Sequence, residues 1–167
     1  MEDRDDRVAR IQAEWRRERP DVDVTPQGVI GRLHRLAARL TEEITAVYAE
    51  HGLTEGEFDV LAALRRAGAP FERSAGELAA STMVTTGGMT KRLDRLERAG
   101  FVLRRPSPID ARGRSVRLTA DGRRVIDAAF RAHMENERRL LDLVPEGERG
   151  PLEATLRGWL GRLDPEA

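Results

Sequence analysis

The chemistry-bearing residues of this chain concentrate in one stretch. From Thr85 to Arg117 there are nine cations: Lys91, Arg92, Arg95, Arg98, Arg104, Arg105, Arg112, Arg114 and Arg117. They face three acids, Asp94, Glu97 and Asp110, while the whole chain balances 29 cations against 29 acids. A basic segment inside a neutral chain points to an anionic polymer more sharply than a high global charge would. The run Thr85-Thr86-Gly87-Gly88-Met89-Thr90-Lys91-Arg92 adds hydroxyls, bare backbone and cations in one place. Such a set can meet base edges and phosphates of a duplex. Other chemistries lack their residues. There is no cysteine, which removes thiol catalysis, disulfides and Cys-ligated zinc. His34, His51 and His133 are scattered without metal-ligand spacing, so ordinary histidines are expected and no metal site. No nucleophile or acid–base pair can be nominated, so no enzyme and no cofactor are expected.

Elements must position that stretch. Val8, Ile11 and Trp15 predict an amphipathic helix over about 5–19, closed by Pro20. Ile30, Leu33, Ala37, Leu40, Ile44 and Val47 step by threes and fours along a long helix at about 27–51. Gly52 caps it, and Thr54-x-x-Glu57 is a capping box opening a helix with Phe58, Leu61 and Leu64 inward. Residues 69–73 read as an extended link. Ser74-x-x-Glu77 is a second capping box, for a short helix that buries Leu78 and Ala79. Thr85 caps the next helix, through Met89, Leu93 and Leu96 to Gly100. The apolar period then changes. Residues 101–105 and 115–118 read as two strands of a hairpin with Pro106, Pro108 and Gly113 in its tip. Thr119 caps a helix to about Leu143, Pro145 breaks it, and Leu152, Leu156, Trp159 and Leu163 stripe a last helix.

Short helix, turn, helix and basic hairpin together form a winged helix-turn-helix. The expected fold class is mainly α with a small β-hairpin wing, plus a helical dimerisation region. The second helix of the pair is narrow enough to enter the major groove. Ser74, Thr85, Thr86, Gly87, Thr90, Lys91 and Arg95 are the candidate DNA contacts on this side, and Arg112 and Arg114 those of the hairpin. Any single Arg could equally be a solvated surface cation. Three regions are expected: 1–52 with the extra and first support helices, 53–119 for DNA binding, and 120–167 for dimerisation. The two apolar stripes offer more surface than one small winged helix can cover, though intrachain packing would account for one of them. A homodimer on double-stranded DNA is therefore expected.

Leu93-Asp94-Arg95-Leu96-Glu97-Arg98-Ala99-Gly100-Phe101-Val102, then Asp110-Ala111-Arg112-Gly113 and Arg117-Leu118-Thr119-Ala120-Asp121-Gly122, resemble the signature of the MarR family of bacterial regulators. The resemblance runs from about Val29 to the C-terminus. It implies a symmetric dimer joined by its terminal helices on a pseudo-palindromic operator. Ala111 departs from the pattern, since many members carry Arg there, and its wing lacks that cation.

The segment before Pro20 resembles the additional helix of the urate-responsive subset of that family. The resemblance implies a ligand set of Trp15, Asp59, Arg92 and Arg104 for a small planar organic anion. Trp15 would give a flat face and an N–H, and the two guanidiniums forked donors. Asp59 would pair with Arg92 in the empty site and be displaced by the anion. Each residue also has a plain alternative: Trp15 a docking anchor, Asp59 a surface acid, Arg92 a phosphate contact, Arg104 a strand cation. Urate or a related purine catabolite heads the expected ligands, and phenolic or dicarboxylic acids would suit the same groups. The alternative function is a ligand-independent winged-helix architectural or interaction module. No apolar run approaches the ~20 residues of a bilayer span, and the acidic start has no signal-peptide pattern. A cytoplasmic protein without a membrane partner is the expectation.

Overall fold

The computed structural model describes residues 6–82, 86–106 and 114–164, without the side chains of residues 86 and 87. Seven helices and three strands follow in the order α1 (Arg7–Glu18), α2 (Thr25–Glu50), α3 (Glu55–Arg66), β1 (Glu72–Ser74), α4 (Ala75–Ser81), α5 (Thr86–Arg98), β2 (Val102–Pro106), β3 (Arg114–Leu118), α6 (Ala120–Leu141) and α7 (Glu146–Leu163). Two compact units divide the chain, Met1–Glu43 and Ile44–Ala167.

In the first unit α1 lies on the start of α2. Asp6 caps α1 by accepting from Ala9 N–H at 2.9 Å, and pairs with Arg32 at 2.8 Å. Val8 is buried against Gly31, where a Cβ would come within 3.2 Å of its Cγ1. The periodicity predicted Val8, Ile11 and Trp15 as the inward face. Val8 is buried and Ile11 half-buried on that face, but Gln12 joins them in place of Trp15, because its amide donates to Val24 C=O at 2.8 Å, while Trp15 stands half exposed. A buried amide with a backbone partner avoids the penalty that a sequence pattern assigns to polar residues.

The second unit holds the core. Leu61 and Leu64 of α3, Leu78 of α4, Leu96 of α5, Val102, Val116 and Ile126 are almost completely enclosed. Both capping boxes form. Thr54 N–H donates to Glu57 Oε2 at 2.9 Å, and Ser74 N–H to Glu77 Oε2 at 2.7 Å. Helix α5 ends as a glycine-capped helix should: Gly100 takes φ 75° and Phe101 N–H reaches back to Leu96 C=O at 2.9 Å.

The sheet has one strand more than the sequence shows. Residues 69–73 read as a link, but Glu72–Ser74 pairs antiparallel with β3, giving the order β1-β3-β2. Glu72 opposes Arg117 and Ser74 opposes Ser115. The hairpin alone would leave the second edge of β3 unpaired beside buried Ser115 and Val116, and β1 satisfies that edge. A three-residue strand is too short for alternation to signal. The hairpin tip, with Pro108, Ala111, Arg112 and Gly113, lies outside the described residues, as does Thr85.

Thr119 closes the unit. Its Oγ1 accepts from Gly122 N–H at 2.9 Å and donates to Gly100 C=O at 2.7 Å, so one hydroxyl ties the end of α5 to the start of α6. Gly122 is required for that approach, since a Cβ there would sit 2.0 Å from the Phe101 carbonyl oxygen. A backbone atom cannot swing aside as a side-chain tip can. Gly122→Ala should therefore destabilise the chain by about 3 kcal/mol or more, whereas Gly147→Ala, which meets open space, should not. Urea midpoints of the two variants check this, and equal midpoints would contradict it.

Candidate nucleic-acid interface and its neighbouring cavity

Helix α5 carries the candidate DNA face. Thr90 and Lys91 are exposed on it, and Arg114 is exposed where β3 begins. Thr86 and Gly87 open the helix, with side chains outside the described set; Thr85 and Arg112 lie outside it altogether. Ser74 is committed as a cap, its Oγ accepting from Glu77 N–H at 3.1 Å. A cap on the first helix of the pair fixes posture and leaves Ser74 only partly open.

The arginines of α5 divide by role. Arg95 is half exposed, yet its Nε lies 3.0 Å from Glu57 Oε1, and the Glu57 side chain is 4% exposed. Glu57 thus serves twice. One oxygen closes the Thr54 capping box and the other holds Arg95. Three residues back, the Arg92 guanidinium lies over the bare Cα of Gly56, where a Cβ would fall 2.1 Å from its Nε. Its Nη1 is buried with no hydrogen-bond partner among the described residues. The expected Asp59–Arg92 ion pair is not made there. Arg92 acts on Asp59 only through space, favouring its charged form.

Arg104 is held at the base of the wing. It pairs with Asp94, its Nε lies 3.4 Å from Glu97 Oε2 without hydrogen-bond geometry, and its own N–H donates to Glu97 Oε1 at 3.1 Å. Strand β2 is thereby fastened to α5. Trp15 belongs to the first unit, beside a hollow of about 360 Å³ that it shares with Arg19, Val22 and Gln27.

A cavity of about 770 Å³ opens among α3, α4, α6 and the end of α2. Tyr48, Phe58 and Phe130 give it aromatic walls, and Asp59, Arg65 and His133 polar ones. Tyr48 stacks on Phe58 with centroids 4.0 Å apart. Burial pushes the Tyr48 phenol up to about 12, with the Asp59 carboxylate adding to the effect, so it stays a neutral donor. His133 Nδ1 lies 3.4 Å from Tyr48 Oη and its Nε2 3.2 Å from Glu137 Oε1. Of the four residues in the expected ligand set, Asp59 lines this cavity. Arg92 and Arg104 are not among its lining residues. Sequence spacing missed Arg65 and His133, which approach it from α3 and α6, helices far apart in the chain. Arg65 pairs with Asp127 at 2.6 Å on its rim.

Residues 51–113 match the MarR family. The chain is 39% identical over 157 residues to the HTH-type transcriptional regulator PecS of Dickeya dadantii, covering 94% of this chain and 92% of that one. It is 36% identical over 94 residues to the transcriptional activatory protein BadR of Rhodopseudomonas palustris, 56% and 54% of the two chains. Among solved structures, the MarR family regulator Sco5413 of Streptomyces coelicolor superimposes with a TM-score of 0.71 at 28% identity, over 86% of this chain and 99% of that one. A mutant MarR of E. coli complexed with operator DNA gives 0.70 at 27%, over 83% and 99%. The chain belongs to the MarR family of DNA-binding transcriptional regulators, and its relatives are regulators rather than enzymes. No helix among the described residues is long and apolar enough to cross a membrane.

Asp59 supplies a test of the cavity wall. Burial raises its pKa above the usual aspartate value, Glu55 adds to the rise, and Arg92, Arg66 and His133 oppose it. The folded chain therefore holds this proton to higher pH than the unfolded chain. Stability is free of the penalty below the ordinary aspartate range and declines as pH rises through the folded value. Asp59→Asn, which cannot ionise, should raise the urea midpoint at pH 7, and the gain should fade to nothing below about pH 4. A gain equal at both pH values would refute the burial argument.

Proposed function

We propose that this chain is a ligand-responsive repressor. It docks as a homodimer on a pseudo-palindromic operator and leaves it when a small planar organic anion binds, urate or a related purine catabolite first among candidates. The observation that carries the reading is the fastening of α5. Exposed Thr90 and Lys91 stand on a helix held by buried Glu57, and exposed Arg114 on the hairpin that the mostly enclosed Arg104 fastens to that helix. A reading head whose pose is set by a few contacts can be turned by a ligand that prefers one pose.

The dimer is supported by apolar surface. Helix α7 buries none of its residues, and Leu152, Leu156, Leu160 and Leu163 are 40–74% exposed. Such a stripe needs a partner, and a second copy supplies one of matching chemistry. On this reading residues 120–167 join the dimer, 53–119 bind DNA and 1–52 support both tasks. The anion is supported by the cavity, whose size falls in the usual range for small ligands and whose aromatic and cationic walls suit a flat acid. Ser74, Thr85, Thr86, Gly87, Thr90, Lys91, Arg95, Arg112 and Arg114 remain the proposed DNA contacts. Arg95 serves as positioner and contact together. Trp15, Asp59, Arg92 and Arg104 remain the proposed effector groups.

Duplex from the chain's own upstream region provides the test. Binding should fall steeply with salt, the logarithm of affinity losing about 0.9 per phosphate neutralised for each logarithm of salt. Urate should release the duplex, with a phenolic acid and a dicarboxylate as comparison arms. Retention of the duplex in all three would end the sensing half of the proposal. Indifference to duplex at low ionic strength would end the other half.

A further inference from the structure

We propose that Gly56 is the positioning residue of α5: by lacking a side chain it makes the seat in which the Arg92 guanidinium lies. Three observations converge. Gly56 is buried in the first turn of α3, and a Cβ placed there would meet Arg92 Nε at 2.1 Å, Cζ at 2.4 Å and Nη2 at 2.7 Å. The backbone does not ask for glycine at this position. Among the described residues the glycines with positive φ are Gly52, Gly68 and Gly100, and Gly56 is not one of them. Helix propensity argues against it too, since glycine is the poorest helix former after proline. What the position requires, then, is the absence of a methyl group under a guanidinium plane.

The seat has mechanical consequences. The next residue, Glu57, holds Arg95 at 3.0 Å. Arg92 and Arg95 are three apart on α5 and project on one face, so two adjacent residues of α3 grip two neighbouring side chains of α5. The Arg92 grip is held by shape, because Nη1 is buried without a hydrogen-bond partner among the described residues. A contact held by shape and left short of one partner is the weaker of the two and the one that yields first. Gly56 also lies three residues before Asp59 on α3, which links the seat to the cavity wall through one helix face. The obstructing atoms are the far end of a flexible side chain, so a methyl group at residue 56 displaces Arg92 and leaves the backbone where it is.

The test is a double-mutant cycle in the whole chain, with Gly56→Ala made in the parent and in Arg92→Ala. Urea unfolding without DNA is the first readout. The two changes should be coupled, the effect of Gly56→Ala on the unfolding constant differing about fivefold or more between backgrounds. In Arg92→Ala the methyl group should be neutral or stabilising. Binding of the upstream duplex is the second readout and rests on the proposed function. Gly56→Ala should weaken it about tenfold, and Arg92→Lys, whose slim ammonium needs no flat seat, should tolerate the methyl group. Equal effects of Gly56→Ala in both backgrounds, or none in the parent, overturn the inference. Should Gly56→Ala fail to fold, folding of Gly56→Ala/Arg92→Ala supports the seat, and failure of both overturns it. A parent that ignores duplex defeats the proposed function while leaving the urea cycle to decide the seat.

Discussion

The grip of the first turn of α3 on α5 is the contact on which the rest of this domain depends. Glu57 is a buried carboxylate, and a charge in that position is costly unless it is both paired and hydrogen-bonded. It has both. Thr54 N–H and Oγ1 each lie 2.9 Å from one oxygen, and Arg95 approaches the other at 3.0 Å. The half-exposed Arg95 keeps part of its hydration while it neutralises Glu57, which lowers the cost of the pair relative to two buried charges. A capping box is ordinarily a local device worth about 1 kcal/mol. Here the same carboxylate carries tertiary information, because the start of α3 and the middle of α5 cannot shift independently.

The wing is fastened to the same helix from the other side. Arg104 of β2 is mostly enclosed and meets Asp94 and Glu97 of α5. Helix α5 therefore contacts α3 through its arginines and β2 through its acids. A second junction ties the residue before β1 to α3 and α6. Phe71 adopts φ 61°, rare for a bulky residue. It is held between Arg65 and Arg123, whose guanidinium carbons lie 5.2 and 4.9 Å from its ring centre, and both arginines also reach Asp127. Arg65 and Asp127 line the 770 Å³ cavity. A change at the cavity rim and a change in the sheet thus share side chains.

The elements were legible where local chemistry decides them. Two capping boxes, the Gly100 stop and the Thr119 cap could be read because each is satisfied within a few residues, and the structure makes all four. The winged fold followed from their order. What escaped notice depends on residues distant in sequence. Strand β1 exists because β3 has an edge to fill, and Gln12 is buried because Val24 offers a carbonyl. Arg65 and His133 belong to the cavity through the meeting of α3 with α6. The sequence sets Asp59 against Arg92 as two opposite charges, but the Arg92 guanidinium lies over Gly56 instead. No one-dimensional signal distinguishes a glycine kept for a neighbour's side chain from one kept for its own φ.

Part of the local positive charge is spent inside the domain. The basic stretch carries nine cations, yet Arg92, Arg95 and Arg104 are engaged with Gly56, Glu57 and the Asp94–Glu97 pair inside the domain. Arg98 turns its Nε to the Asp94 carbonyl at 3.2 Å. The excess charge read from the sequence is therefore partly structural. It sets the posture of α5 and the wing, and a smaller group that includes Lys91, Arg105 and Arg114 stands exposed toward solvent. Phosphate contacts place a protein on DNA without reading sequence, so few are needed if the helix arrives in a fixed pose. The division of labour makes sense of the arginine spacing. Residues 92 and 95 lie on the face of α5 that α3 holds, and residue 91, one position before 92 and four before 95, stands exposed beside them.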